Sequence, residues 1–357
     1  LRRSQKPIVI AARNSALARA QAEMVGRALN RLHPKIEVRF RFMKSQGDAA
    51  GDQSLADRGG KGLFTRDIEK LLLDGEADLA VHSLKDLPAI DTTGLCLAAV
   101  PRRADVRDCL ITSAGVASIQ ELPQGAVIGT ASPRRAAQLL RLRPDLKIGL
   151  IRGNVETRLE KVLNPGGPKR YDATLLAVAG LTRLGLDQHT QHAIPIEDMM
   201  PSACQGALAV QCRANDNVTL TRCLPLNNPE ASTAVHAERQ VVAGLGGDCH
   251  SPIAVLAEQS KQPPTPAKRN ADAHWFRLRV RVLSGDGSQC LEIDEQVKTK
   301  DLRRLVKRAI KDLKDRGAQK LLKSGYEIAP LPADPGRKPQ AKPAPAEPTR
   351  GIKVSPA

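Results

Sequence analysis

Short aliphatic runs, each followed by a polar turn and then a segment with helical apolar spacing, recur along this sequence and restrict it to an α/β architecture. The first run is 7–12. Arg13-Asn14-Ser15 makes the turn, Ser15 is placed as an N-cap, and Leu17, Ala20, Met24, Ala28 and Leu32 share one helix face. Residues 36–42 alternate apolar and polar as a half-buried strand. A polar loop with Gly47, Gly51, Gly59, Gly60 and Gly62 then leads to a helix over about 65–73 and a strand over 77–82. This β-α-β-α-β order predicts a mostly parallel sheet with helices on its faces.

The pattern resumes after a polar crossing at 101–107. Strands are expected at 126–130, 147–151 and 172–179. One helix starts at Ser132-Pro133, with a capping hydroxyl and proline at its first position, and another is capped by Asn154. Residues 164–169 form a Gly/Pro-rich loop. A turn into a strand at Gln205 within 201–213 reads as a return to the first unit. A third unit follows about Pro229: a helix through His236 to Val242, a glycine loop at 244–251, a Pro/Lys-rich insertion at 259–269, strands at 276–283 and 290–297, and a helix over about 300–322. From Pro330 there is almost nothing to bury, and the tail is expected to be disordered. The expected division is 1–103 with the return segment 201–222, then 104–200, then 223–325, then the tail 326–357.

A net charge of +17 invites a nucleic-acid reading. The basic residues are spread along the chain, however, and aromatics are only 2%, so base-stacking platforms are scarce. A cationic cleft for a small polyanion is the competing reading, and composition leaves both open. The seven cysteines form no CxxC pair, which suggests buried thiols in a reducing compartment. No run approaches the roughly 20 apolar residues of a membrane span. No signal-peptide pattern opens the sequence. The expected location is the cytoplasm, or an organelle stroma such as the plastid's if a transit peptide has been removed from before Leu1.

Strand ends concentrate the chemistry. The run Asp78-Leu79-Ala80-Val81-His82-Ser83-Leu84 ends in Lys85-Asp86, and Pro88 stops it. Ligands of open α/β sheets bind beyond the carboxyl ends of strands. Taken alone, though, this pair reads as a surface ion pair worth about 0–1 kcal/mol. Basic turns before helix starts recur at Arg13-Asn14-Ser15, at Thr130-Ala131-Ser132-Pro133-Arg134-Arg135, and at Arg152 to Arg158. Helix N-termini attract anions, and arginine forks match carboxylates. Lys61 in a glycine stretch and Arg183 after another strand extend the series. The glycine stretch lacks phosphate-loop spacing. Cys249, in Gly246-Gly247-Asp248-Cys249-His250-Ser251-Pro252, is either an accessible reactive thiol or an incidental loop cysteine. His82 reads as a satisfied core histidine.

Together these stretches resemble the porphobilinogen deaminase (hydroxymethylbilane synthase) family. The resemblance covers about 7–322 and is carried by Arg13-Asn14-Ser15-Ala16-Leu17-Ala18, Gly60-Lys61-Gly62-Leu63-Phe64, Val81 to Pro88, Gly129 to Arg135, Arg152-Gly153-Asn154, Gln205-Gly206-Ala207 and Gly246 to Pro252. It implies two α/β domains like type II periplasmic binding proteins and a smaller α+β third domain. It also implies a monomer that condenses four porphobilinogen molecules into hydroxymethylbilane, releases ammonia, and passes the product to uroporphyrinogen-III synthase. A dipyrromethane cofactor would be held by a thioether on Cys249. Asp86 would be catalytic, holding positive charge and relaying a proton. Arg13, Ser15, Lys85, Thr130, Ser132, Arg134, Arg135, Arg152, Asn154, Arg158, Arg183 and Gln205 would bind cofactor and substrate, with Lys61 covering the cleft. No metal, nucleic acid or membrane is implied.

Three positions depart from the family pattern: Pro133 for the commoner leucine, Cys204 for glycine, and Asp248 for a glycine beside the thiol. The rival is a non-enzymatic small-anion binding module of periplasmic-binding type. It explains the two lobes and the arginine turns but gives Asp86 and Cys249 no task.

Overall fold

The computed structural model describes residues 6–43, 65–164, 171–260, 274–323 and 328. Its first lobe begins with β1 (Ile8–Arg13), α1 (Ala16–Leu32), β2 (Val38–Met43), α2 (Arg66–Leu73) and β3 (Leu79–Ser83), and continues through a 3-10 turn (Leu84–Asp86) to β4 (Leu95–Ala99). A return strand, β9 (Leu208–Arg213), completes its sheet in the order β2-β1-β3-β9-β4. β1 pairs in parallel with β2 and β3, whereas β9 runs antiparallel to both β3 and β4. Leu79, Ala80 and Val81 are buried because helices cover both faces of β3.

The second lobe comprises β5 (Asp108–Thr112), β6 (Val127–Gly129), α3 (Pro133–Leu142), β7 (Lys147–Gly149), α4 (Val155–Leu163), β8 (Ala173–Ala177) and α5 (Val178–Arg183). Its sheet order is β5-β8-β6-β7, with β5 antiparallel to β8. After α6 (Asn217–Cys223), α7 (Pro229–Leu245) leads into an antiparallel sheet, β10 (Ile253–Ser260), β11 (Trp275–Leu283) and β12 (Cys290–Lys298), followed by α8 (Leu302–Asp315) and α9 (Ala318–Lys323). Leu278, Val280 and Val282 of β11 face Val241, Leu305 and Leu313 in one core. The intervening arginines pair with acids: Arg277 with Asp294, Arg279 with Glu258, and Arg281 with Glu292. Two α/β lobes and a separate α+β C-terminal unit are the architecture expected from the sequence.

Local capping follows the residues. Ser15, Ser132 and Asn154 each accept a hydrogen bond from a backbone N–H of the first turn of α1, α3 and α4, and Pro133 opens α3. The C-terminal helix expected as one piece is two, because Gly317 takes φ 90° between α8 and α9. The strands β4, β5 and β10 were not anticipated. Lys61 and its glycine loop, most of the Pro/Lys insertion and nearly all of the tail lie outside the described residues.

The two segments joining the lobes run against each other. Ala104 N–H donates to Gly206 O at 3.1 Å, and a Cβ on Gly206 (φ 84°) would lie 2.5 Å from Ala104 O. Cys204 adopts φ 63°. That left-handed conformation costs a side-chain-bearing residue about 1–2 kcal/mol, a strain glycine would not carry.

Candidate active site

The 3-10 turn places Lys85 and Asp86 at the mouth of a cleft between the two lobes. Leu84 and Leu87, on either side of the pair, are buried and anchor the turn, while Asp86 is exposed. One cavity is lined by Arg13, Ser15, His82, Ser83 and Asp86, among others. A second is lined by Lys85, Arg135, Arg158 and Arg183, with Leu176, Gly180 and Gly206. The two share Leu17, Gln21 and Ser83 and so adjoin. The Gln21 and Ser83 side chains hydrogen-bond each other at 2.9 Å on this shared wall.

Among the described residues lining either cavity, Asp86 is the only carboxylate, set against five cations. Burial, then the charge of Arg135, pushes Lys85 down to about 8, although Asp86 opposes this. Burial pushes Arg158 and Arg183 down to about 10, and for Arg158 the Arg135 charge adds to the effect and Asp86 opposes it. Crowded, partly desolvated cations gain most from an incoming anion.

The adjacent arginines have different tasks. Arg134 is 3% exposed; its Nη1 donates to Met200 O at 2.6 Å and its Nη2 to Asp108 Oδ2 at 2.7 Å. It does not line either cavity, and the structure gives its fork protein partners in place of the substrate carboxylates expected from the resemblance. Arg135 donates to Asp108 Oδ1 and Leu175 O, yet it also lines the second cavity. Asp108 is completely buried. Burial alone would raise its pKa, but Arg135 and Arg134 hold it well below the usual carboxylate range. Asp108 escaped the sequence reading because its only local signal is one acid at the start of an aliphatic run.

Other expected residues are not gathered at the cavities. Thr130 accepts from Ser132 N–H, and Ser132 and Asn154 cap their helices. Arg152 is half-buried and lines neither cavity. Gln205 is buried behind the cleft, accepting from Lys85 Nζ and donating to Asp108 and Val106 O. His82 is not the satisfied core histidine expected. Its buried Nε2 has no hydrogen-bond partner, and burial pushes its pKa down to about 4 against a smaller opposing pull from Gln211.

Cys249 is exposed in the loop after α7, and it lines neither cavity. α7 ends at Gly246 in the left-handed conformation. Asp248 accepts from His250 N–H and from Ser251 Oγ, so its carboxylate shapes the turn that presents Cys249. The side chains present fit a polyanionic group held in the cleft: Arg135 Nε and Arg183 Nε are buried with no acceptor.

Residues 8–221 match the family model described as porphobilinogen deaminase, dipyromethane cofactor binding domain, and residues 232–315 match the porphobilinogen deaminase C-terminal domain. The chain belongs to the porphobilinogen deaminase family. The porphobilinogen deaminase of Legionella pneumophila (strain Lens) is 40% identical over 319 residues, covering 89% of this chain and 98% of its own. That of Sorangium cellulosum (strain So ce56) is 42% identical over 282 residues, 79% of this chain and 88% of its own. Among solved structures, a TRAP periplasmic solute binding protein from Desulfovibrio salexigens is 10% identical over 64% of this chain and 74% of its own, with a TM-score of 0.37, too weak to carry an inference. The cofactor of this porphobilinogen deaminase family member is dipyrromethane. The cofactor-domain match contains Asp86 and all the cleft cations, while the C-terminal match contains Cys249.

Proposed function

We propose that this chain is a hydroxymethylbilane synthase, a transferase that joins four porphobilinogen molecules head to tail and releases one ammonia for each molecule added. The observation that carries the reading is Asp86: one exposed carboxylate at a strand end, beside cavities whose other described charged side chains are the cations Arg13, Lys85, Arg135, Arg158 and Arg183, in a chain matched along most of its length by the porphobilinogen deaminase models.

Porphobilinogen bears an acetate and a propionate, so both substrate and growing chain are polyanions. Lys85, Arg135, Arg158 and Arg183 supply the opposing charge, and Arg135 and Arg183 each bring a buried N–H in need of an acceptor. The dipyrromethane, when bound, supplies the nucleophilic pyrrole carbon on which the chain starts and remains anchored. Asp86 is placed to relay a proton to the departing amino group and to hold the positive charge that develops on the substrate pyrrole as the C–N bond breaks. It then takes up the ring proton lost once the new C–C bond has formed. Arg13 and Ser15 flank the carboxylate on the wall of the first lobe.

In the same reading, Cys249 holds the cofactor through a thioether, and the protein works as a cytoplasmic monomer that hands its product to uroporphyrinogen-III synthase. The exposure of Cys249 on a glycine loop supports the attachment. Intact mass and Ehrlich colour of the purified chain, with porphobilinogen turnover, test the proposal. Active protein with an unmodified mass and no colour refutes the cofactor assignment. Cys249→Ser should carry no adduct, and normal loading of that variant excludes the thiol as the anchor.

A further inference from the structure

Helix α7 leads directly into the Cys249 loop, and one face of it also supports the Asp86 turn. Ala231, Val235 and Arg239 lie at four-residue spacing, so they form one stripe along that helix. Ala231 and Val235 pack in one cluster with Leu84 and Leu87, the two residues that anchor the turn. Arg239, 8% exposed, continues the stripe. Its Nη2 donates to Pro88 O at 2.9 Å and to Asp91 Oδ1 at 2.6 Å, and its Nε donates to Ala89 O at 3.3 Å. A single guanidinium therefore holds three acceptors in the segment that starts two residues after Asp86. The preceding residue, Glu238, is completely buried. It receives both Nη atoms of Arg103, at 2.7 and 3.0 Å, and the backbone N–H groups of Cys204 and Ala257. Adjacent residues of α7 thus grip the inter-lobe crossings and the Asp86 segment.

We propose that Arg239 is a positioning residue for the reaction, holding the Leu84–Asp91 segment on α7 so that Asp86 sits at a set height above the helix that delivers Cys249. The proposal rests on the function proposed above. A planar fork is needed because three acceptors must be met in one geometry, which a lysine ammonium on a flexible stem does not reproduce. The contacts lie behind the turn, and Arg239 lines neither cavity. Its effect belongs in the rate of the chemical step and not in substrate affinity.

The test compares wild type, Arg239→Gln and Arg239→Lys as loaded enzymes, with adduct content read by intact mass. For Arg239→Gln the expected result is full adduct, cooperative unfolding, a kcat lower by about 10–100-fold and a KM within about twofold. Arg239→Lys should recover part of kcat. Amide hydrogen exchange should quicken across 84–91 in Arg239→Gln while the α7 amides stay protected. Unchanged kcat and exchange overturn the proposal, as does a loss of activity that only follows the loss of folded, loaded protein. A wild-type chain inert toward porphobilinogen would instead refute the proposed function, and the exchange comparison would still decide whether Arg239 holds the turn.

Discussion

Lys85 Nζ lies 3.3 Å from Oε1 of Gln205, which joins the strand-end turn of the first lobe to the segment returning from the second. Gln205 passes the connection on, donating from Nε2 to Asp108 Oδ1 at 2.9 Å, and Asp108 holds Arg134 and Arg135. Two of the cleft's cations, Lys85 and Arg135, are thereby tied to the crossings on which the lobes meet. Members of a buried polar chain share partners, so single changes should be felt beyond their own site.

Lys85 makes substrate capture depend on pH. Burial, with Arg135, pushes its pKa down to about 8, and an anionic substrate binds the protonated form. KM for porphobilinogen should rise as pH climbs past about 8, and the rise should vanish in Lys85→Arg, whose guanidinium stays charged. Steady-state kinetics between pH 7 and 9.5 decide this; a flat wild-type KM would sink it. Because the folded state holds this proton less tightly than the unfolded chain, stability of the free enzyme should rise with pH across the window from about 8 to 10.4.

Asp86→Asn keeps the shape of the turn, since Leu84 and Leu87 anchor it from below. An amide neither holds a proton for transfer nor offsets a developing cation. Turnover should fall by at least about 100-fold, with melting unchanged within a degree or two. Near-normal rates in the folded variant would remove Asp86 from the mechanism.

Asp108→Asn should act on the fold. It leaves the buried guanidiniums of Arg134 and Arg135 without their charge partner, which costs about 3–5 kcal/mol. Urea unfolding at pH 7 measures the loss. Since the folded pKa of Asp108 is depressed, its contribution is complete above the unfolded value near 4 and fades as pH falls below it. The variant should lose that part of the acid dependence, and a difference under about 1 kcal/mol would show the clamp to be unimportant.

Gly206→Ala combines two penalties: φ is 84°, and the added methyl would lie 2.5 Å from Ala104 O. Destabilisation of about 1–3 kcal/mol is expected, with the crossings pushed apart. Thermal unfolding and limited proteolysis at 101–107 should both report it, and wild-type melting would show that the crossings have slack.

Much of the frame was legible because it is local. The helix starts at Ser15, Ser132 and Asn154 follow from capping chemistry within four residues, and the strand run before Lys85 follows from continuous apolar residues ended by Pro88. β4, β5 and β10 are apolar runs with no helical spacing directly after them, so they fall outside the strand-turn-helix repeat that marks most other strands. His82 was misjudged because apolar neighbours in sequence do not say whether a ring nitrogen finds an acceptor.

By itself, the sequence determined the α/β order, the caps, the cationic strand ends and the motifs that mark the family, all of which depend on residues close together in the chain. Only the tertiary structure decided that Arg134 serves Asp108 while Arg135 also meets the cleft, since adjacent side chains on α3 point to different surroundings. It also decided that β9 fills the gap between β3 and β4, and that α7 lies beneath Asp86. Those outcomes rest on burial and on partners far apart in sequence, where the cost of leaving a charge or a donor unsatisfied selects the pairing.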